Sequence, residues 1–167
     1  MNSQSIDIIN PENNIGLKNW NIVNDDVMGG ISKSYLSLND ENNLIFSGNV
    51  SLKNNGGFAS TRMGLDRESL NGIRSFKIKF RGDGNMYKLR VRQNNRRATY
   101  SSNFKSVKDK WLEVNIPIED FILSWRGYSY SSYPAMETEK ISSIGIQISD
   151  KQEGEFKLEI KYIKAIF

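Results

Sequence analysis

The chain has 167 residues, of which 38% are hydrophobic, and a formal net charge of +4 at pH 7. This length fits one domain, because a single core of roughly this size can bury about 70% of the surface that the unfolded chain exposes. The sequence contains no cysteine and no histidine, which excludes disulfides, thiolate zinc sites, thiol nucleophiles and Ser-His pairs. Carboxylate, lysine and tyrosine chemistry remains, together with oxygen-ligated calcium or magnesium.

The N-terminus lacks the basic and apolar regions of a secretory signal and the arginines of a mitochondrial transit peptide. No apolar run approaches the length of a transmembrane helix. We therefore expect a cytoplasmic protein without membrane insertion. The charge permits an anionic partner, but no recognised nucleic-acid-binding module is present, so a nucleic-acid partner is not expected.

Alternation of apolar and polar residues with period two recurs from about residue 44 to the C-terminus and indicates antiparallel strands. In the run from Phe76 to Phe80, for example, Phe76, Ile78 and Phe80 would face the core. The predicted strands are 44–52, 57–63, 76–80, 87–92, 99–104, 111–116, 144–148 and 156–163. Short helical turns are predicted only at 66–70 and 137–140. The sequence therefore predicts one all-β domain over residues 1–167, a jelly-roll β-sandwich with little helix.

Two segments combine carboxylates with glycines. In residues 24–30, Asp25 and Asp26 precede Met28 and two glycines; these carboxylates could ligate calcium or a ligand hydroxyl, or the segment could simply close its own turn. The run Arg81-Gly-Asp83-Gly lies between two strong strand patterns and predicts a hairpin turn, in which Arg81 and Asp83 could hold each other or a ligand.

A basic face is predicted on the polar side of the strands, where alternation places Arg62, Lys88, Arg90 and Arg92. Arginines there would bind a carboxylate, a phosphate or an acidic protein segment. The alternative is a solvated outer face that only keeps the protein soluble. Arg96 and Arg97 are interpreted as charge at the tip of a loop.

The segment 124–134 is rich in aromatic residues and predicts a long recognition loop. Its rings would stack on a sugar or anchor a protein interface, or Trp125 and Tyr128 would fold back as a lid over the sandwich. The candidate contact residues in this loop are Trp125, Arg126, Tyr128 and Tyr130. A carboxylate-pair glycosidase has no supporting motif, so no catalytic residue, metal or cofactor is predicted.

Several motifs in a fixed order are more specific than the alternation. They are Asp25-Asp-Val-Met28-Gly-Gly30 after Trp20, Gly56-Gly-Phe-Ala-Ser-Thr-Arg62, Arg81-Gly-Asp83-Gly with Tyr87, Tyr100, Phe104, Trp111, Ile116-Pro117 with Phe121, Arg126-Gly127 and Ile144-Gly145-Ile146. This order and spacing resemble the complex I intermediate-associated protein 30 family over about residues 20–167, in a free-standing, bacterial form. The resemblance implies a galactose-binding-like β-sandwich and a non-enzymatic role as an assembly factor or chaperone for respiratory complex I.

We therefore expect a non-enzymatic module that binds a protein partner or folding intermediate through the basic face and the aromatic loop. The alternative is a carbohydrate- or small-ligand-binding module that uses the same sandwich surface.

Overall fold

The computed structural model describes residues 4–125, 128–129 and 133–167 of the chain. β-Strands dominate this part of the protein. In chain order they are β1 (Ser5–Ile9), β2 (Trp20–Asn24), β3 (Lys33–Leu38), β4 (Leu44–Val50), β5 (Ala59–Gly64), β6 (Ser75–Arg81), β7 (Met86–Gln93), β8 (Thr99–Lys105), β9 (Trp111–Pro117), β10 (Ile122–Trp125), β11 (Tyr128–Ser129), β12 (Ile141–Ile148) and β13 (Gly154–Ile166). Short 3-10 helices lie at Asp25–Met28, Lys53–Asn55, Ile118–Asp120 and Thr138–Lys140.

The strands form two antiparallel sheets that pack face to face. One sheet has the order β3-β4-β13-β6-β9, with β1 also paired to β13, and the other has the order β11-β10-β8-β7-β12-β5-β2. One hydrophobic cluster lies between them. The prediction of an all-β jelly-roll sandwich with little helix is therefore confirmed.

Alternating burial along the central strands builds this core. In β7, Tyr87, Leu89 and Val91 are fully buried, while the residues between them face outward and are only partly buried. The ring of Phe104 packs against Phe80 and Tyr87, with centroid distances of 4.9 and 6.0 Å. The period-two pattern thus identified both the strands and the direction of their side chains.

Three strands that precede residue 44 were not predicted. Two of them, β2 and β3, are edge strands in which only Asn24, at the end of β2, is buried, so they lack the apolar alternation that marks a half-buried strand. The predicted helical turn at 66–70 is also wrong: these residues form hydrogen-bonded turns, and Glu68 adopts a left-handed conformation (φ 60°) that no α-helix continues through. The turn predicted at 137–140 is present as Thr138–Lys140.

The segment between β6 and β7 is not a hairpin, because β6 belongs to the six-stranded sheet and β7 to the seven-stranded sheet. The Asp83 carboxylate holds this crossing by accepting hydrogen bonds from the Lys157 backbone N–H (2.8 Å), the Asn85 N–H (3.0 Å) and the Tyr87 hydroxyl (3.0 Å). Arg81 pairs with a different carboxylate, as described below.

Asp25 is a buried centre that joins the two glycine-containing motifs. Its side chain is 0% exposed. Oδ1 accepts the Ser32 N–H at 2.9 Å, and Oδ2 accepts the Gly57 N–H at 2.8 Å and the Phe58 N–H at 3.4 Å. The Ser32 hydroxyl also donates to Oδ2. Three of these four donors bond to Oδ2 and one to Oδ1. The carboxylate is thus buried and already hydrogen-bonded by the protein itself, which argues against its use as a ligand for calcium or for a bound hydroxyl.

The glycines around Asp25 are explained by lack of space. A Cβ atom on Gly30 would lie 2.4 Å from Cγ of Asp25, and one on Gly56 would lie 2.5 Å from its Oδ2. Any other residue at either position would push the carboxylate away from its donors. The two motifs that are separated in sequence therefore describe one structural centre, which ties the start of β5 to the end of β2.

Hydrogen bonding determines the charge state of this centre. Burial by itself would raise the pKa of Asp25, but the hydrogen bonds from Ser32, Gly57 and Phe58 outweigh it and lower the pKa below the ordinary value of 3.8. Because the pKa is lower in the folded state, the ionised carboxylate adds stability above pH 3.8, and that contribution is lost as the pH falls through the folded-state pKa.

We predict that Asp25→Asn lowers the free energy of unfolding by about 3 kcal/mol at pH 7, because an amide NH₂ would then face backbone N–H donors in a buried site. Urea denaturation followed by circular dichroism measures this change. Asp26→Asn is the matched control, since Asp26 is the exposed neighbour, and it should change stability by less than about 0.5 kcal/mol.

The difference between wild type and Asp25→Asn should be constant from pH 7 down to about pH 5 and shrink below pH 3.8. Equal stability of the two proteins at pH 7 would show that the carboxylate does not hold the two motifs together.

Candidate functional site

The predicted basic face lies on the outer side of the seven-stranded sheet. Arg62 in β5 and Arg90 in β7 both pair with Gly145 of β12, which runs between them. Directly opposed residues of antiparallel strands point to the same face. Arg92 lies in the neighbouring row, opposite Ser143 of β12. The three arginines, hereafter the arginine cluster, are therefore adjacent across three strands.

Glycine 145 leaves the space inside the arginine cluster open. Two strand spacings separate Arg62 from Arg90, so their Cα atoms lie about 10 Å apart. A Cβ on Gly145 would lie 2.6 Å from the Thr61 carbonyl oxygen, so the close approach of β5 requires glycine. As a result, bare backbone lies between two long cationic side chains.

Two depressions that share lining residues lie over this region. The smaller one, about 40 Å³, is lined by the whole arginine cluster together with Thr99, Ser143 and Gly145 and their neighbours. The larger one, about 470 Å³, shares Arg62, Arg92 and Ser143 and extends over residues 93–97. The site thus combines a small depression over the arginine cluster with a wider hollow lined by polar side chains.

The arginine cluster has no acidic partner. Every Asp and Glu of the chain lies within the described residues, and none is within 4.0 Å of a guanidinium nitrogen of Arg62, Arg90 or Arg92. Burial and the charges of Arg92 and Arg62 lower the pKa of Arg90 to about 10. Burial and Arg62 lower the pKa of Arg92 as well. Both remain cationic at neutral pH, in an environment that disfavours their charge.

Lys88 lies on the same face but outside the cluster. Its Nζ forms a salt bridge with Asp150 at 3.1 Å and donates to the Asn103 side chain at 3.3 Å. Its charge is already compensated. Of the four basic residues predicted for this face, the structure therefore brings three together as unpaired cations.

Arg81 is part of a structural ion pair. Its guanidinium donates to Glu159 Oε1 at 2.8 and 3.2 Å and lies 4.9 Å from the ring centroid of Trp111. Glu159 is 5% exposed and also accepts the side-chain amides of Asn39 and Asn43 at 2.8 Å each. Arg81 and Asp83 thus hold neighbouring elements of the fold, and neither contacts the arginine cluster.

The aromatic segment begins at the same end of the sheet as Arg92. Ser124 in β10 pairs with Thr99 of β8, which pairs with Arg92, and the next residue, Trp125, pairs through its backbone with Tyr128. Arg126 and Tyr130 lie outside the described residues, as do the side chains of Trp125, Tyr128 and Met28.

Beyond this segment, Tyr133 donates its hydroxyl to the Phe121 carbonyl at 3.1 Å and packs on Tyr100. This ring is a structural anchor.

Sequence reasoning did not predict several residues of the site. Gly145, Ser143 and Thr99 line it but carry no charge. Arg96 and Arg97, interpreted as loop-tip charge, line the larger depression, although Arg96 also pairs with Glu137 at 3.5 Å. Arg96 and Arg97 lie in the connection between β7 and β8, shortly after Arg92. This closeness in sequence was the signal that could have assigned them to the same site.

Within the described residues, no three acidic side chains converge in a way that could hold a metal ion. The helical segments of the same residues are too short and too polar to cross a bilayer.

By sequence, the chain is similar to complex I intermediate-associated proteins. The sequence model of the family "Complex I intermediate-associated protein 30" matches residues 8–160. The mitochondrial complex I intermediate-associated protein 30 of Mus musculus is 27% identical over 169 residues, covering 88% of this chain and 52% of the mouse protein. The "Probable complex I intermediate-associated protein 30, mitochondrial" of Caenorhabditis elegans is 30% identical over 156 residues, covering 80% of this chain and 46% of the worm protein. The chain thus spans about half the length of these relatives.

By structure, the chain is similar to carbohydrate-binding modules. The family 11 module of the cellulase Lic26A-Cel5E of Clostridium thermocellum has a TM-score of 0.70 at 14% identity and covers 99% of this chain and 94% of the module. A point mutant of the family 29 module CBM29-2 has a TM-score of 0.62 at 8% identity, covering 99% of this chain and 87% of the module. At such low identity the likeness shows the shared β-sandwich fold.

We predict that Arg90→Met raises the free energy of unfolding by about 1 kcal/mol, because it removes a partly buried charge that has no partner and is repelled by Arg62 and Arg92. Chemical denaturation at low ionic strength measures the change. Arg67→Met, at an exposed position of a turn, is the control and should be nearly neutral. Destabilisation by Arg90→Met alone would mean that the guanidinium supports the fold.

Proposed function

The chain belongs to the complex I intermediate-associated protein 30 family, and we propose that it is a non-catalytic binding module that holds a protein partner or folding intermediate during assembly of a larger complex. The curated relatives are named for their association with complex I intermediates. Complex I is accordingly the client that we propose for this chain. The chain matches about half of each relative, and we propose that this half makes the contact with the partner.

One observation carries the proposal: three arginines are held together on an open sheet face without an acidic side chain near them. Placing like charges side by side destabilises the free protein. A negatively charged segment of a partner would neutralise them, and bidentate contacts from the arginines to its carboxylate or phosphate groups would fix its orientation. If the face only maintained solubility, its arginines would be expected to be well solvated and to keep their ordinary pKa. Arg90 is instead partly buried, and its pKa is lowered to about 10.

The non-enzymatic part of the proposal is supported by the carboxylates. Asp25 and Asp83, the two candidates from the motifs, are engaged in hydrogen bonds with the protein's own backbone and side chains. Neither faces the depressions beside the arginine cluster. The cytoplasmic location expected from the sequence stays a prediction, since the curated relatives are named as mitochondrial.

We predict that affinity capture from the source organism, with the whole chain as bait, recovers complex I subunits identified by mass spectrometry. The double variant Arg62→Glu/Arg90→Glu should reduce their recovery at least about tenfold, because reversed charges would repel an acidic segment. Recovery by the wild type should fall as salt is raised, since exposed charge contacts are screened.

Arg67→Glu/Arg74→Glu, which makes the same change in net charge at two exposed positions outside the arginine cluster, is the control and should retain full recovery. Equal recovery by the wild type and the Arg62→Glu/Arg90→Glu variant would show that the arginine cluster does not contact the partner. Absence of any complex I subunit above background would contradict the proposed client.

Carbohydrate binding is a second candidate, favoured by the position of the aromatic segment. Trp125 ends β10 in the same sheet as the arginine cluster, and aromatic rings there could stack on a sugar. One solved module of this fold was obtained in complex with a beta-1,3-1,4-mixed-linked tetrasaccharide.

If this second candidate is right, a glycan array should show saccharide binding that Trp125→Ala abolishes. The control is Tyr35→Ala, which removes an aromatic side chain that is 61% exposed on the other sheet. No binding across a broad array would eliminate this candidate.

A further inference from the structure

We infer that the depression between β5, β12 and β7 is an oxyanion site that binds one phosphate-type dianion through Arg62, Arg90 and Arg92. The inference concerns the same surface as the proposed function and sharpens it. Its test requires only the purified chain and a small anion, so the result does not depend on whether the proposed protein partner is correct.

The charge of the arginine cluster favours a dianion. One carboxylate would leave two of the three guanidinium charges uncompensated in a partly enclosed site, whereas a phosphate or sulfate group carries a charge close to −2. Such a group also offers at least three oxygens, which allows two or three forked arginine contacts at once. The cluster presents that number of donors around one small space.

The hydroxyl groups at the floor of the site add further donors. Thr99 and Ser143 line the small depression on either side of Arg92. Thr99 is buried and Ser143 is partly buried. Within the described part of the chain neither hydroxyl takes part in a hydrogen bond, whereas the buried hydroxyls of Ser60 and Ser106 do. Both free hydroxyl oxygens reach solvent, so an oxyanion at the site would accept a hydrogen bond from each.

The shape of the site selects a small head group. The depression of about 40 Å³ has room for about three water-sized groups, since one water needs about 10–15 Å³ of such space. The floor is the bare backbone at Gly145, so an anion can lie between Arg62 and Arg90 without meeting a side chain.

The wider hollow beside it has room for the rest of a ligand. It measures about 470 Å³ and is lined by residues 93–97. Arg96 lines it, and its Nε is buried without a hydrogen-bond partner among the described residues. A phosphomonoester would place its phosphate on the arginine cluster and its organic part in the hollow.

Titration of the purified protein with sodium phosphate, sodium sulfate and sodium acetate, at matched ionic strength and pH 7.5, tests the site by calorimetry and by backbone amide NMR. Phosphate and sulfate should bind and shift the amide signals of Ser143 and Gly145, and acetate should bind at least about tenfold more weakly. Arg62→Gln and Arg90→Gln should each weaken phosphate binding about tenfold, which is the loss expected for one charge-assisted contact. Arg67→Gln should bind as the wild type does.

A phosphomonoester provides the second arm. O-phosphoserine should bind more tightly as the pH rises from 5 to 7.5, because its second proton leaves near pH 6, while sulfate binding should stay constant. Tighter binding of O-phosphoserine than of inorganic phosphate would identify a phosphorylated ligand as the source of the anion, and the reverse would identify free phosphate.

Three results would overturn the inference: acetate binding as tightly as phosphate, phosphate binding that persists in a folded Arg62→Gln/Arg90→Gln variant, or no binding beyond the effect of ionic strength. If phosphate binding fails while capture of complex I subunits still depends on Arg62 and Arg90, the partner proposal stands and the dianion site falls. If phosphate binds and no subunit is captured, the reverse holds.

Discussion

The register of β12 against its two neighbours is the constraint on which the rest of the site depends. Ile144, Ile146 and Ile148 are fully buried in the core, and a shift by one residue would turn all three toward solvent. With this register fixed, Gly145 must face outward between Arg62 and Arg90. The apolar core therefore determines where the arginine cluster forms, although no arginine contributes to that core.

Buried or partly buried charges have two different environments in this protein. Asp25 and Glu159 are nearly inaccessible, yet each is surrounded by donors that outweigh the effect of burial and lower its pKa. Arg90 has no such compensation, and its pKa is lowered instead. An ionisable group whose charged form is stabilised by the protein's own donors contributes to the fold. A group whose charged form is destabilised has no such partner within the fold.

The central strands and the polar faces of β5 and β7 were predictable, because half-buried strands carry the period-two pattern in their own residues. That pattern placed Arg62, Arg90 and Arg92 on outward faces correctly. It could not place them together, since the insertion of β12 between β5 and β7 is a long-range pairing. Nor could it show that Asp150 neutralises Lys88, or that the segment at Asp83 crosses between the sheets, since both depend on packing of distant segments.

The residues that identify the family and the residues of the candidate binding site lie in different parts of this protein. The Asp25 and Gly56 motifs that identify the family build a buried centre, in which four hydrogen bonds from the protein itself hold the carboxylate. The arginine cluster lies across the sheet from the core and forms no part of that centre. Since a surface can change without affecting a buried centre, members that share these motifs need not share a ligand. The identity of the anion must accordingly be decided by the arginine cluster, Gly145 and the hydroxyls beside them.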